Sequence, residues 1–302
     1  MVEDAYEACV RDARRRYENF PVASWLLPRG ARAHVAAVYA FARAADDFAD
    51  EGERSDTERY RLLDGWGDRL RHAAVSDDPG VPPRPGEPEH TVAIFRAVGA
   101  TVRSCLLPVN LFEDLLSAFR QDVSMTRYAT WAELLDYCRR SANPVGRLVL
   151  RICGHRGTQF DAWSDNICTA LQLTNFWQDF HRDYGRGRLY LPRDEQRASG
   201  AREEDLAVGN LTPAWKAALG QAALRTRALF DAGRPLCDSL RGRLRYELRA
   251  TWLGGTRILD RITNVEFDVS ASRRALGFRD APWFAWRLLM WPTATLPLPR
   301  SS

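Results

Sequence analysis

Two stretches of this sequence place carboxylates where a helical chain would bury apolar side chains. Residues 31–50 read ARAHVAAVYAFARAADDFAD. Val35, Val38, Tyr39 and Ala42 recur at three- and four-residue steps, the stripe by which an amphipathic helix packs inward. The same steps run on into Arg43, Asp46 and Asp50, with Asp47 about 100° to the side. Residues 162–184 read AWSDNICTALQLTNFWQDFHRDY. An apolar start through Ile167, Ala170, Leu171 and Leu173 is joined by Gln172, Asn175, Asp179 and Asp183, which share one face at steps of 3, 4 and 4.

One aspartate pair a helical turn apart is ordinary solvated surface. Two pairs, each prolonging an apolar helix beside amide or guanidinium groups, are not. Four carboxylates facing one cavity repel unless cations bridge them. Hard cations suit carboxylate oxygen, and Mg²⁺ typically takes one or two carboxylates plus substrate phosphate oxygens. Five histidines and scattered cysteines argue against zinc. The spacing therefore points to a Mg²⁺-bridged phosphate or diphosphate held between two helices. Above an apolar cavity, such a centre would stabilise a diphosphate leaving group while the walls receive a carbocation.

The rest of the chain reads as helix. Helical periodicity predicts elements at about 3–18, 31–50, 56–75, 89–104, 109–122, 131–140, 145–157, 162–184, 212–240, 242–262 and 280–291. Half-buried strand patterns are scarce, and good helix formers abound. Residues 77–88, DDPGVPPRPGEP, hold five prolines and two glycines and must form an exposed loop. Since the helices on either side look alike, we expect one all-α domain over 1–302, a helical bundle around a central apolar cavity.

Charge and cysteine usage narrow the surroundings. Of 43 basic residues only Lys216 is lysine, and the net charge is +4. That excess is too small to indicate a nucleic-acid partner. Part of the arginine share is expected to hold anionic oxygens, because a guanidinium fork matches phosphate. The N-terminus lacks the apolar core of a signal peptide, and no stretch is long and apolar enough to span a bilayer. Cys9, Cys105, Cys138, Cys153, Cys168 and Cys237 form no C-x-x-C pair, as in a reducing, cytoplasmic setting. Residues 281–292, APWFAWRLLMWP, read as a terminal helix packed on the core, or as an interfacial helix in peripheral contact with a membrane.

Three segments carry a resemblance to a known family. YAFARAADDFADE (39–51) and LQLTNFWQDFHRDYGRGRLYLP (171–192) resemble the two aspartate motifs of the squalene and phytoene synthase family. Between them, YCRRSANPVGRL (137–148) resembles the segment bearing that family's catalytic tyrosine. The likeness runs from about residue 19 to 268 with the motifs in order. NFPVASWLLP (19–28), SANPVG (141–146) and ELRATWLGGTRILD (247–260) are similar to the bacterial subgroup that forms hydroxysqualene.

The resemblance implies the isoprenoid synthase fold and a Mg²⁺-dependent reaction. Presqualene diphosphate would lose diphosphate, and the rearranged cation would be captured by water. No NADPH is expected. Asp46, Asp50, Asp179 and Asp183 would bind Mg²⁺ and the diphosphate, while Arg43, Gln172 and Asn175 would support the diphosphate or the metal shell. Ser24 matches a serine near the family's N-terminal diphosphate site, and Arg188 and Tyr190 lie in a loop that helps close the site. Tyr137 would act beside the reacting carbons. Many relatives have a small Ala-Gly pair where this chain has Ala142-Asn143-Pro144, so Asn143 is expected to help place the capturing water. Arg182 stands where an acidic residue often precedes the last aspartate. A first-step synthase condensing two prenyl diphosphates, and a non-catalytic helical assembly factor, are the alternatives. Other enzymes of the same pathway are expected neighbours.

Overall fold

The computed structural model describes residues 1–15, 26–78, 82–265, 267 and 280–291. Ser24 lies outside them. Helices dominate: α1 (Val2–Arg15), α2 (Arg29–Asp50), α3 (Asp56–Val75), α4 (Thr91–Cys105), α5 (Val109–Ser124), α6 (Trp131–Ser141), α7 (Asn143–Ile152) and α8 (Thr158–Gln178). They continue with α9 (Phe180–Gly185), α10 (Arg193–Ser199), α11 (Glu203–Ala207), α12 (Pro213–Gly233), α13 (Pro235–Ser239), α14 (Gly242–Asn264) and α15 (Ala281–Leu289). Among the described residues the one extended pairing is an isolated parallel bridge, Arg127 to Leu189.

Local chemistry starts and stops these helices. Ser55 and Thr130 accept from the backbone N–H of Glu58 and Glu133, each at 3.3 Å, the Ser/Thr-x-x-Glu arrangement of a capped N-terminus. The stretch expected as one helix over 212–240 is two, broken at Arg234 because Pro235 has no N–H to continue the ladder. The segment 162–184 is likewise divided at Asp179, where φ −96° and ψ 11° leave helical geometry. Sequence periodicity did not anticipate α10 and α11, which are too short to show a face. The proline-rich loop is exposed along residues 82–86 but pinned at its end. There Arg69 makes two hydrogen bonds to Glu87, at 3.1 and 2.8 Å, with the Glu87 side chain only 1% exposed.

Two apolar clusters form the interior. One gathers α1 to α5 around Phe41, Trp66, Phe95 and Phe112, whose rings lie 4.5 to 6.0 Å apart. The other gathers α6, α8 and α12 around Trp177, Trp215 and Phe230. Their polar edges are satisfied: Trp66 donates to the Phe41 carbonyl at 3.1 Å and Trp177 to Thr226 Oγ1 at 2.9 Å. Each such buried ring contributes about 1.5–3 kcal/mol of transfer free energy. Leu171 and Trp252 pack against both clusters. Beside Leu171 lies an apolar cavity walled by Val35 of α2, Val149 and Leu150 of α7, Ile167 of α8, and Leu244 and Leu248 of α14.

Glycines set how closely the walls approach. A Cβ at Gly233 would lie 2.6 Å from Ile167 Cγ1 and 2.8 Å from the Trp163 carbonyl, so α12 meets α8 backbone to backbone. Gly233→Ala should therefore cost about 1–3 kcal/mol in urea unfolding, the range for overpacking. Gly220, on the same helix, has open space where a Cβ would go. Gly220→Ala should stabilise by about 0.5–1 kcal/mol in the same assay.

Candidate active site

The acidic end of α2 is held by arginine. Arg43 spreads over three carboxylates, reaching Asp46 at 3.2 Å and Asp47 and Glu51 at 2.9 Å. Asp50 accepts two hydrogen bonds from Arg188, at 3.0 and 2.5 Å, a bidentate pair 138 residues apart in sequence. Arg188 also donates to the Asp122 backbone carbonyl at 3.2 Å. Its loop is fastened from below: Leu189 N–H donates to Thr126 O at 3.0 Å, and Arg127 donates to Gly187 O at 2.6 Å.

The second acidic stripe ends at the α8–α9 break. Asp179 is 8% exposed and accepts from Arg182 at 2.6 Å, while Asp183 lies 4.0 Å from the same guanidinium. The bend keeps the two aspartates adjacent, with Asp183 N–H donating to the Asp179 carbonyl at 2.8 Å. Gln172 and Asn175 are half-buried along the stripe leading up to them.

Electrostatics link the two stripes. Burial, then the neighbouring Asp50 charge, pushes the Asp46 carboxyl up to about 7. Burial, then Asp179, pushes Asp183 up to about 6. The Arg188 charge opposes the shift at Asp46, Asp183 and Asp122 alike, so its guanidinium acts on carboxylates from α2, α5 and α9. Among the described residues no three His, Cys, Asp or Glu side chains are gathered as a ready coordination shell. The donors are nevertheless all hard oxygens, and the Asp50 charge raises Asp46 as the Asp179 charge raises Asp183, which is the setting a divalent cation relieves.

Tyr137 sits beside this centre, 4% exposed, and its hydroxyl donates to Asp122 Oδ2 at 2.9 Å. Burial, then the Asp122 charge, drives the phenol pKa well above its ordinary value, so Tyr137 stays a neutral donor. Burial also pushes Asp122 up to about 7 against the pull of the Tyr137 hydrogen bond. Around the phenol stand Tyr128, Phe176 and Tyr190, with ring centres 5.7, 6.2 and 6.4 Å away. Tyr190 stacks on Phe176 at 3.7 Å, 5° from parallel.

The sequence reading missed Asp122, although a signal existed. Leu115, Ala118 and Phe119 form the buried stripe of α5, and the same steps reach Asp122. Asn143 occupies the first turn of α7 rather than capping it, because the cap position is Ala142. Its Oδ1 accepts from Thr169 at 2.9 Å and ties α7 to α8. One turn beyond Tyr137 on α6, the buried Ser141 Oγ has no hydrogen-bond partner among the described residues.

Known proteins bear on this geometry directly. The squalene/phytoene synthase family pattern matches residues 13–286. The chain belongs to the squalene/phytoene synthase family. Members of that family are enzymes acting on prenyl diphosphates. The chain is 38% identical over 227 residues to the hydroxysqualene synthase of Rhodopseudomonas palustris, covering 75% of this chain and 72% of that one. It is 35% identical over 250 residues to the hydroxysqualene synthase of Sinorhizobium fredii, covering 78% and 76%. Among solved structures, squalene synthase HpnC from Alicyclobacillus acidocaldarius superimposes with a TM-score of 0.79 at 38% identity, covering 88% of this chain and 95% of that one. A dehydrosqualene synthase, 19% identical with a TM-score of 0.80, shares the fold. The all-α isoprenoid synthase fold expected from sequence is therefore the fold observed.

The raised carboxyls make stability depend on pH in a definite direction. Asp46, Asp122 and Asp183 bind protons more tightly folded than unfolded. Their contribution is complete below the unfolded carboxylate pKa of about 4 and is lost as pH rises through about 6 to 7. Without divalent cations, the Tm should fall between pH 5 and pH 8. Asp46→Asn should flatten that fall, as read by calorimetry across the range.

Proposed function

We propose that this chain is a hydroxysqualene synthase that converts presqualene diphosphate to hydroxysqualene with Mg²⁺ and without NADPH. The observation that carries the reading is Arg188, forked onto Asp50 of the first stripe and felt electrostatically at Asp183 of the second, beside the buried Tyr137–Asp122 pair. The 35–38% identity to hydroxysqualene synthases supports the same substrate.

In this reading Asp46, Asp50, Asp179 and Asp183 hold Mg²⁺, and Arg43, Arg188, Gln172 and Asn175 hold the diphosphate, with Ser24 contributing from the N-terminal side. Bound Mg²⁺ neutralises charge on the departing diphosphate. The substrate C–O bond breaks with its electron pair leaving on diphosphate, and the cyclopropylcarbinyl cation rearranges. The aromatic faces of Tyr128, Phe176 and Tyr190 shield that cation from bulk water and favour positive charge. One water oxygen then bonds to carbon. Its proton passes to Tyr137 Oη as the phenol gives its own to Asp122 Oδ2, an acceptor tuned near neutrality. Asn143 places this water through its amide nitrogen, because its oxygen is engaged by Thr169.

Incubation with Mg²⁺ and no NADPH tests the reading. Presqualene diphosphate should be consumed to hydroxysqualene, and farnesyl diphosphate alone should be untouched. Consumption of farnesyl diphosphate would favour the first-step condensation, the reaction class suggested by the 33% identical phytoene synthase of Mycobacterium tuberculosis. Asp122→Asn should lower alcohol formation roughly hundredfold, within the range for losing a general base. Asn143→Ala should shift product from alcohol towards dienes, and an unchanged product ratio would remove its role.

A further inference from the structure

The net charge of the chain is concentrated at one end. Residues 241–302 carry eleven arginines against five acidic residues, whereas residues 1–240 carry 32 basic against 34 acidic. The whole positive surplus therefore belongs to the last fifth of the sequence. That region folds, where described, as α14 with α15 laid along it. Arg261 pairs with Asp280, Arg257 lies 4.9 Å over Trp283, and Arg249 lies 4.8 Å over Trp291.

α15 has two apolar faces. Phe284 and Leu288 pack inward, and Trp291 is 8% exposed with its indole N–H donating to Asp238 at 2.7 Å. The opposite face carries Pro282, Trp286 and Met290 at four-residue steps. Trp286 is 61% and Met290 58% exposed. At the start of α14, near the end that meets Trp291, the preceding Arg241 and the helical Arg243 and Tyr246 are exposed as well. The inward side of that same part of α14 lines the apolar cavity through Leu244, Leu248 and Thr251.

We propose that the outer face of α15, with the N-terminal turns of α14, docks on an anionic lipid bilayer surface. The occupant is argued from charge complementarity. Exposed tryptophan and methionine on α15, with Arg287 exposed on the same helix and Arg241 and Arg243 exposed at the start of α14, match the interface of an anionic leaflet, where apolar rings sink and guanidiniums stay at the headgroups. No described helix is long and apolar enough to cross a membrane, so the contact is peripheral. The surface shares α14 with the cavity, which places a lipid source beside the space proposed for the hydrocarbon chains. In that respect the inference rests on the hydrophobic-substrate reading above.

The test is sedimentation of the full chain with phosphatidylcholine vesicles, with and without phosphatidylglycerol, at low and high salt. Binding should require phosphatidylglycerol and weaken with salt. Trp286→Ser with Met290→Ser should lower the bound fraction about tenfold or more. Arg241→Glu with Arg243→Glu should abolish the preference for anionic lipid. Both double variants should turn over detergent-dispersed presqualene diphosphate within about twofold of wild type, showing an intact fold. Equal binding to neutral vesicles, or none, would overturn the proposal. So would a concentration-dependent dimer that is lost in the Trp286/Met290 variant, because a second copy would then cover the face. Failure of wild-type turnover with intact vesicle binding would instead overturn the functional reading and leave the docking surface supported.

Discussion

Arg188 faces carboxylates from three separate parts of the chain. It forks onto Asp50, donates to the backbone at Asp122, and its charge is felt at Asp46 and Asp183. Partly buried carboxylates at this density would drive one another towards protonation. The guanidinium opposes that drive at Asp46, Asp122 and Asp183. The loop that delivers it must be fixed, and the Arg127 contacts with Gly187 and Glu203 do that. A divalent cation held by Asp46, Asp50, Asp179 and Asp183 would supply that neutralisation, leaving the Arg188 fork available to the diphosphate.

A second constraint is the contrast between this charged rim and the apolar cavity. The rim sits at the C-terminal ends of α2 and α8, while Val35 and Ile167, on earlier turns of the same two helices, line the cavity. A long amphipathic substrate can then lie along the helices, diphosphate at the rim and hydrocarbon below. Tyr137 stands beside the rim, its phenol kept neutral by burial and its hydroxyl committed to Asp122. Such a buried pair is expensive unless each polar atom has a partner, which ties its presence to chemistry rather than to stability.

Much of this was legible in the sequence because it follows helical period. The two stripes follow from spacing alone, and Arg188, Tyr190 and Tyr137 entered through the family resemblance. Other features were hidden for physical reasons. Asp122 shows a stripe signal, yet its pairing with Tyr137 is a tertiary contact across 15 residues. The division of 162–184 at Asp179 has no glycine or proline to announce it. Asn143 is expected from sequence only as a water-placing group, and its bond to Thr169 depends on how closely α7 approaches α8. That approach in turn depends on Gly146, where a Cβ would lie 2.5 Å from Cys168 Sγ.

The central claim is that the aspartates converging on Arg188 form a metal-dependent diphosphate site. Calorimetric titration with inorganic diphosphate tests it without requiring turnover. The account predicts binding in Mg²⁺ that disappears in chelator, and that is lost in both Asp50→Asn and Asp179→Asn, one variant from each helix. Diphosphate binding of equal strength with chelator present, or unchanged by either substitution, would contradict it.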